Sequence, residues 1–454
     1  MTNRFANESE AIAYIFRSLR KLGGKTRGPD ELTRDVSPTL TLLKTHNLLR
    51  RPRQYGVVTG SKGKGSTTVI AARLLEQLGH TVGLITSPHL VTYRERIRVN
   101  GRAIPEPDLL RILEELAPTI DTIEAGLNDQ QYFSPQGIFL AIALRWFDEQ
   151  GVNAAMLEVG RGGRFDDIAV VPNRLALFTP IMLEHTEHLG ETLERIAWHK
   201  AGIIKPHCYA YSVPQAPEVL AVLQAEADAQ DAEFAWIAPN DMGQYRGQTE
   251  NGILMELGRY GVVEISLLGR YQVANATLAV QGVGNMHSRL PGISHGAPAY
   301  VEAIRAGLKR VNWPGRLQKL QDRPAVYLDG AINAESARLA AQSLEGRLTD
   351  PIIGIIGVPE DKDYLGVYTE LGLVCDALIL TETTRNVTLR FPERERALAA
   401  ARRFNNDVTH TKTLDAAVDL ALERAGSDGT VLIFGTQSIV ADAIQRWNLS
   451  YEVI

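Results

Sequence analysis

The sequence lacks most of the features that assign a protein to a specialised class at once. Only two of its 454 residues are cysteines, Cys208 and Cys375, and they lie too far apart for a disulfide framework or a zinc site. We interpret both as small apolar side chains in a reduced compartment. The longest apolar run, Ile138–Leu144, ends at Arg145 and is far shorter than the about 20 residues that span a bilayer. Because the N-terminus also lacks the apolar core of a secretory signal, a cytoplasmic protein is expected.

Neither sign of charge dominates the sequence. The 48 basic and 53 acidic side chains give a net charge of −5, which does not indicate the concentrated basic face of a nucleic-acid-binding or membrane-surface protein. Apolar residues make up 44% and charged residues 22%, the usual balance of a soluble globular protein. The length predicts two or three domains.

The first half of the chain alternates between strand and helix patterns. A buried strand is predicted at 55–59, a helix at 66–78 and a second strand at 81–86, with a glycine-rich turn after the first strand. Further buried strands are predicted at 152–159 and 175–181. Such alternation favours an α/β fold with a mostly parallel sheet.

A second series of alternating strands and helices begins at Pro324. Strands are predicted at 324–330, 352–357, 375–381 and 430–435, and helices at 335–344 and 414–425. Before them lie a turn-rich stretch at 290–298, a helical run at 299–310 and the segment Asn312–Arg316, which we interpret as a hinge. The prediction is a P-loop ATPase domain with a mostly parallel sheet over 1–311, followed by a smaller Rossmann-like α/β domain over 312–454.

The stretch from Gly60 to Ser66, GSKGKGS, has the composition of a phosphate-binding loop. Its glycines allow the backbone to point successive N–H groups at an anion, and the following helix adds its positive N-terminal end. Lys64 can reach the outer phosphates of a nucleotide, and Ser66 or Thr67 offers a hydroxyl. The spacing is shorter than that of the usual P-loop pattern. A glycine-rich turn with solvated lysines is the alternative, which the placement between a strand and a helix disfavours.

A series of longer motifs follows in a fixed order. They are TSPHLVTYRERIRVNGRAI at 86–104, LEVGRGGRFD at 157–166, LEHTEHLG at 183–190, ERIAWHKAGIIKP at 194–206, GRYQVANA at 269–276, WPGRLQ at 313–318, LDGAINAES at 328–336 and DKD at 361–363. In this order they resemble the folylpolyglutamate synthase and dihydrofolate synthase family, a branch of the Mur ligases. The resemblance extends roughly from Tyr55 to Ile439.

The resemblance implies an ATP-dependent amide ligase. Such enzymes transfer the γ-phosphate of ATP to a carboxylate of the acceptor, and the amine of an amino acid, typically L-glutamate, then displaces the phosphate. A pterin-linked acceptor, Mg²⁺ and a monomeric enzyme are implied as well. The protein's tasks in such a reaction are positioning and charge neutralisation.

The resemblance also implies roles for individual residues. The backbone of Gly60, Gly63 and Gly65 would hold the phosphates together with Lys64, Ser66 and Thr67. Ser87, Glu158 and His185 match the family's metal positions, although imidazole is not a preferred magnesium ligand. Glu158 also fits independently, because an acid at the end of the strand AAMLE would lie beside the phosphate loop at the carboxyl edge of the sheet.

Four further positions follow from the same resemblance. Lys200 matches a lysine that the family carries in carbamylated form, which would hold a second metal ion; a plain helix lysine is the alternative. Asn275 matches a nucleotide-contacting position and Asp329 a nucleotide-contacting acid, for which a strand-end cap is the alternative. Arg316 matches an arginine that reaches the phosphates from the second domain and couples domain closure to catalysis.

Three segments depart from the family pattern. Ile332 stands where the family has a nucleotide-contacting histidine. The segment 162–168 reads GGRFDDI and lacks the family's Thr-Asn pair, and 131–137 reads QYFSPQG and lacks a glutamate. These changes bear on the acceptor pocket and on nucleotide contacts, whereas the phosphate and metal positions are intact.

Two alternatives to a folate-type ligase therefore stay open at this point. The first is a ligase of the same chemistry with a different acceptor or amino acid, for which the altered segments would set the specificity. The second is a nucleotide-binding protein with little ligase activity, which Ile332 favours and the intact phosphate and metal positions oppose.

Overall fold

The structure, a computed structural model, describes residues 4–23, 28–291, 296–386 and 388–454. Within the predicted turn-rich stretch 290–298, residues 292–295 lie outside the described residues. Across the described ranges, no helix combines the length and the apolar character needed to cross a membrane.

A large mixed sheet forms the centre of the first part of the chain. Its strands are β1 (Gln54–Thr59), β2 (Val82–Ile85), β3 (Ile97–Val99), β4 (Arg102–Ala103), β5 (Ala154–Glu158), β6 (Leu175–Phe178), β7 (Tyr209–Ser212) and β8 (Glu233–Trp236). Their spatial order is β4-β3-β2-β5-β1-β6-β7-β8. All neighbouring pairs are parallel except β2–β3 and β3–β4.

Helices cover both faces of this sheet. They are α1 (Glu8–Ile15), α2 (Arg17–Lys21), α3 (Asp30–Thr33), α4 (Ser37–Thr45), α5 (Lys64–Gln77), α6 (Glu106–Ala125), α7 (Pro135–Glu149), α8 (Thr186–Leu189), α9 (Leu193–Ala201), α10 (Pro217–Ala229), α11 (Gln272–Arg289) and α12 (Ala297–Lys309). One apolar core contains residues of α6 and α7, and another joins α5 to α11 and α12. Because both faces are covered, the central strands are almost wholly apolar, as in β5.

Two smaller sheets complete the fold. An antiparallel sheet contains β9 (Gln244–Gln248), β10 (Ile253–Glu256) and β11 (Val262–Ile265). The last sheet contains β12 (Gln318–Gln321), β13 (Ala325–Asp329), β14 (Ile352–Gly357), β15 (Ala377–Leu380), β16 (Val408–His410) and β17 (Thr430–Gly435), in the order β12-β13-β17-β14-β15-β16. Only β12 pairs antiparallel in this last sheet.

The last sheet has its own helices and its own cores. The helices are α13 (Ala334–Ser343), α14 (Tyr364–Gly372), α15 (Arg394–Ala401), α16 (Leu414–Ala425) and α17 (Gln437–Arg446). Apolar side chains fill both of its faces. The α/β class, with a large mostly parallel sheet and a second α/β sheet after it, is therefore confirmed.

The segment Tyr451–Ile454, which we call the C-terminal strap, returns from the last sheet to the first. Val453 pairs antiparallel with Arg102 of β4, and the backbone N–H of Ala103 donates to the carbonyl of Glu452 at 2.8 Å. Arg98 is 2% exposed and donates to the carbonyls of Tyr451 and Glu452 at 2.6 and 2.9 Å. The strap thus covers the β4 edge of the large sheet.

Candidate active site

The predicted site residues in the first part of the chain lie at or near the carboxyl edge of the large sheet. In the register of the strands, Val58 of β1 lies opposite Glu158 of β5, and Leu157 lies opposite Ile85 of β2. The loop after β1, the acid that ends β5 and Ser87 after β2 therefore share one edge. This is the edge at which open α/β sheets bind their ligands.

The loop after β1 has the backbone of a phosphate-binding loop. Gly63, with φ of +85°, precedes α5, and a side chain at this position would collide with Asn275 Oδ1. Only glycine meets both requirements, the left-handed backbone and the close approach. Among the described residues, no side chain caps the N-terminus of α5, so the free N–H groups of its first turn are available to an anion in the loop.

Lys64 and Lys200 meet on one carbonyl of this loop. Lys64 Nζ donates to the Gly60 carbonyl at 3.0 Å and to that of Ser61 at 3.3 Å. Lys200, on α9, donates to the same Gly60 carbonyl at 2.8 Å and pairs with Glu184 at 3.1 Å. Two ammonium groups thus lie beside the loop, where an anion would be attracted to both.

The surroundings of Lys200 change its acid–base properties and those of its partner Glu184. Lys200 is 1% exposed, and burial, together with the nearby charge of Lys64, lowers its pKa to about 8. Burial acts to raise the pKa of Glu184, but Lys200 and Lys64 outweigh it and hold that pKa below the usual value. The lowered pKa favours the neutral amine of Lys200, the form that can react with carbon dioxide.

Glu158 is a buried acid whose charge interacts with that of Lys64. Its Oε2 accepts the backbone N–H of Ser87 at 2.9 Å, and 4% of the residue is exposed. Burial raises the pKa of Glu158, although the positive charges of Lys64 and Arg316 act to lower it. A buried carboxylate of this kind is stabilised when a cation binds to it.

His185 and the loop hydroxyls complete the first-domain side of the site. His185 follows Glu184 directly, has a φ of +50° and is exposed. Ser66 and Thr67 are buried in the first turn of α5, and Thr67 Oγ1 lies 3.4 Å from Asn275 Oδ1. Asn275 also donates to Gln272 at 2.9 Å, which fixes the orientation of its amide group.

The second part of the chain contributes Arg316 and Asp329. The two charges interact, and burial raises the pKa of Asp329 to about 6 in spite of Arg316. Asp329 also accepts the backbone N–H of Leu317 at 2.7 Å, so it stabilises the segment after Arg316 as well. Trp313 lies against Gly65, and among the described atoms its buried indole N–H finds no acceptor.

The three segments that depart from the family pattern each contact other parts of the described structure. Ile332 packs against an apolar core of the last sheet. Asp167 of the segment 162–168 lies against Gly137 of the segment 131–137. Asp167 also accepts a hydrogen bond from Thr39 at 2.5 Å and pairs with Arg34 at 3.4 Å. The two segments therefore form one buried polar cluster together with the N-terminal helices.

The oxygen donors present fit Mg²⁺ better than a softer metal. Within the described residues, no three His, Cys, Asp or Glu side chains form a ready metal site. Magnesium commonly binds through one or two carboxylates and completes its shell with water and phosphate, which the buried Glu158 beside a phosphate loop allows. Ser87 contacts Glu158 directly, whereas Lys200 lies beside Glu184, which precedes His185.

The structure brings the predicted residues of the first part of the chain to one edge of the large sheet, with Arg316 and Asp329 contributed by the second part, and it adds two residues to which the sequence motifs gave no role. Glu184 pairs with Lys200, and Trp313 covers the loop at Gly65. Both lie inside quoted motifs, LEHTEHLG and WPGRLQ, so their position was available from the sequence. Their partners were not, because the sequence alone does not show that the loop before α8 meets α9, or that the segment after α12 meets the phosphate loop.

Comparison with known proteins agrees with this geometry. Residues 109–283 match the Mur ligase middle domain, and residues 315–437 match the Mur ligase glutamate ligase domain. The dihydrofolate synthase/folylpolyglutamate synthase of Bacillus subtilis is 31% identical over 400 residues, which are 86% of this chain and 89% of that protein. A Mycobacterium tuberculosis folylpolyglutamate synthase complexed with ADP and AMPPCP superimposes with a TM-score of 0.81, at 26% identity, over 97% of this chain and 99% of that one.

A further solved structure, an FPGS–AMPPCP–folate complex, has a TM-score of 0.75 and 25% identity, and covers 97% of this chain and 99% of that chain. The fold and the phosphate-loop site thus define an ATP-dependent ligase of the Mur type. Within that class, the chain belongs to the folylpolyglutamate synthase/dihydrofolate synthase family.

Proposed function

We propose that the protein joins L-glutamate to the carboxylate of a pterin-type acceptor, with ATP converted to ADP and phosphate. The observation that carries this proposal is the convergence of Lys64, Glu158 and the Lys200–Glu184 pair on one loop. The B. subtilis relative and the complex with folate support the choice of acceptor.

The chemistry requires activation of the acceptor. A carboxylate oxygen of the acceptor attacks the γ-phosphorus, the bond between the γ-phosphorus and the bridging oxygen breaks, and ADP leaves with the electron pair. The glutamate amine then attacks the acyl carbon, loses a proton to solvent or base and displaces phosphate. Lys64 and the N–H groups at the start of α5 neutralise the charge that develops on the phosphates.

Mg²⁺ fits this proposal through Glu158 and Ser87, and a second ion through His185 and a carbamylated Lys200. Bound there, a divalent ion neutralises phosphate charge. Arg316 and Asp329 contribute from the second domain, which we place at 312–454. The orphaned indole N–H of Trp313 supports a bound group at the same point.

The surroundings of Lys200 support carbamylation of this residue. Burial lowers its pKa to about 8, and carbon dioxide reacts with the neutral amine. A carbamate on Lys200 would be negatively charged, so Lys200 would lose its attraction to Glu184 and could bind a metal ion instead. Incubation with ¹³C-bicarbonate, followed by NMR, is expected to give a carbamate signal that Lys200→Met abolishes and Lys205→Met retains.

Phosphate release from Mg-ATP, measured with L-glutamate and either dihydropteroate, tetrahydrofolate or no acceptor, tests the function. Release that depends on one pterin, with a product heavier by one glutamyl unit by mass spectrometry, is expected. If ATP binds while no pterin stimulates phosphate release, the acceptor is of another class. The segments 131–137 and 162–168 would then be the parts of the acceptor pocket that determine this specificity. A protein that binds no ATP would contradict the ligase function itself.

The same proposal places the enzyme in the cytoplasm as a monomer that binds no nucleic acid. Cys208 and Cys375 are both free and buried, which suits a reducing compartment. Light scattering after size-exclusion chromatography at catalytic concentrations tests the monomer directly.

A further inference from the structure

The guanidinium of Arg96 is largely withdrawn from water, and no carboxylate of the described residues forms an ion pair with it. Its Nε donates to His89 Nδ1 at 3.1 Å, and the guanidinium lies over the rings of Tyr93 and Phe139 at 5.1 and 5.4 Å from their centroids. Within the described part of the chain, no Asp or Glu oxygen lies within ion-pair distance of Arg96.

Other arginines of the large domain that are buried or mostly buried have partners that offset the loss of water around their charge. Arg34 lies among the carboxylates of Asp30, Asp166 and Asp167, and Arg53 pairs with Asp148 at 2.7 Å. Arg98 is surrounded by backbone carbonyls. Removing a guanidinium from water without such partners is unfavourable, so the surroundings of Arg96 are those of a group that receives an anion from outside the chain.

The position of Arg96 identifies which anion it can receive. Ile97 of β3 pairs with Ile85 of β2, and the N–H of Thr86 donates to the Arg96 carbonyl at 3.1 Å. Because β3 runs antiparallel, its first residue lies at the same sheet edge as Glu158. The lateral order along that edge is the phosphate loop, Glu158, the Thr86–Ser87 turn and Arg96.

Neighbouring strands lie about 4.8 Å apart, so the backbone of Arg96 is about 10 Å from that of Glu158. The charges of Arg96 and Glu158 interact, so the guanidinium lies within electrostatic reach of the acid. If a γ-phosphate lies between Lys64 and Glu158, Arg96 follows next along the edge, beyond Glu158 and the Thr86–Ser87 turn. Phe139, against which Arg96 packs, belongs to α7, the helix that begins within the departing segment 131–137.

We propose that Arg96 binds the carboxylate of the acceptor and holds one of its oxygens toward the γ-phosphorus. This inference rests on the proposed function. A guanidinium can bind a carboxylate through two parallel hydrogen bonds, which fixes the direction of attack as well as the position. When the acyl phosphate has formed, the same guanidinium stays beside the acyl oxygen, and no proton transfer from Arg96 is involved.

The test compares Arg96→Gln and Arg96→Lys with Arg94→Gln. Arg94 lies two residues away and pairs with Glu8 and Glu452 at the rim, so its variant controls for the loss of one positive charge from the same segment. Equilibrium binding is measured without glutamate, for the pterin acceptor and for an analogue in which the reacting carboxylate is a carboxamide. The KM values for acceptor, ATP and glutamate are measured in parallel.

Arg96→Gln is expected to weaken binding of the acceptor by about tenfold to hundredfold, the range of a lost charge-assisted hydrogen bond. It should leave binding of the carboxamide analogue unchanged, and Arg96→Lys should recover part of the loss. Equal weakening for both ligands would show a structural role and overturn the inference, as would a raised KM for glutamate alone. If the unaltered protein binds neither ligand, the proposed function fails, and the role of Arg96 fails with it.

Discussion

At the scale of single residues, two lysines of one loop have different surroundings. Lys64 donates to two loop carbonyls and faces Glu158, whereas Lys62 is exposed. Lys64→Ala is therefore expected to lower acceptor-dependent phosphate release by about 100-fold or more, the usual cost of a lost group that stabilises transition-state charge. Lys62→Ala should cost less than about threefold. Equal effects of the two substitutions on kcat would contradict the assignment of Lys64.

Glu76, on α5, makes stability depend on pH. Arg73 pairs with it at 2.7 Å, but burial outweighs this attraction and raises the pKa of Glu76 from 4.5 to about 7. Between these values the folded state keeps a proton that the unfolded state releases, so stability falls as pH rises from about 4.5 to 7. The maximum loss is about 3 kcal/mol.

Glu76→Gln is expected to remove this loss. Its melting temperature should equal that of the unaltered protein near pH 5 and exceed it by about 2–4 °C at pH 8, as measured by scanning calorimetry. The exposed Glu250→Gln is the matched control and should follow the unaltered protein at every pH. Parallel curves for all three proteins would show that Glu76 titrates normally in the folded state.

At the scale of elements, the sequence predicted the regular strands and helices well because their patterns are local. The predicted strand 352–357 and helix 414–425 have the observed bounds, and the predicted helix 66–78 is α5 at Lys64–Gln77. The helical run predicted at 299–310 begins two residues earlier, at Ala297. Apolar periodicity and glycine stops determine such elements without reference to distant residues.

Elements whose stability depends on distant partners were not predicted. The two residues of β4 form a strand because β3 and the C-terminal strap both pair with them. The strap lies some 350 residues later in the chain, as the hydrogen bond between Arg98 of β3 and Tyr451 shows. At the site, the order of residues along the sheet edge was predicted only for Glu158 and the loop. The pairing of Lys200 with Glu184 and the position of Arg96 depend on tertiary contacts that one sequence does not contain.

The strap allows a matched comparison of two adjacent residues. Ile454 is 4% exposed in the core that joins α5, α11 and α12, whereas Val453 is 43% exposed. Ile454→Ala should destabilise the protein by about 2–4 kcal/mol, the cost of a cavity, and lower its melting temperature by several degrees. Val453→Ala should cost less than about 0.5 kcal/mol. Similar losses for both would mean that the strap is anchored through its backbone alone.

At the scale of the whole molecule, the proposed site takes residues from both parts of the chain. Arg316 interacts with Glu158 and with Asp329, so the nucleotide and acceptor would lie between the two α/β units. Binding of AMPPCP together with a pterin acceptor is expected to reduce the radius of gyration measured by X-ray scattering, because closure excludes water from the phosphates.

The control for closure is the Lys64→Ala variant, which should show a smaller change at the same ligand concentrations. Identical scattering profiles of the unaltered protein with and without both ligands would show that the two units are already in their final arrangement. Arg316 would then act without any domain movement.

The C-terminal strap also has a consequence for how the chain is made. Arg98 and β4 leave the ribosome about 350 residues before Tyr451, an interval of roughly 20–70 s at 5–20 residues per second. Throughout this interval the edge of the large sheet is open to pairing with other chains, and a buried arginine lacks two of its acceptors. The larger unit therefore completes its own edge only after the entire smaller unit has been synthesised.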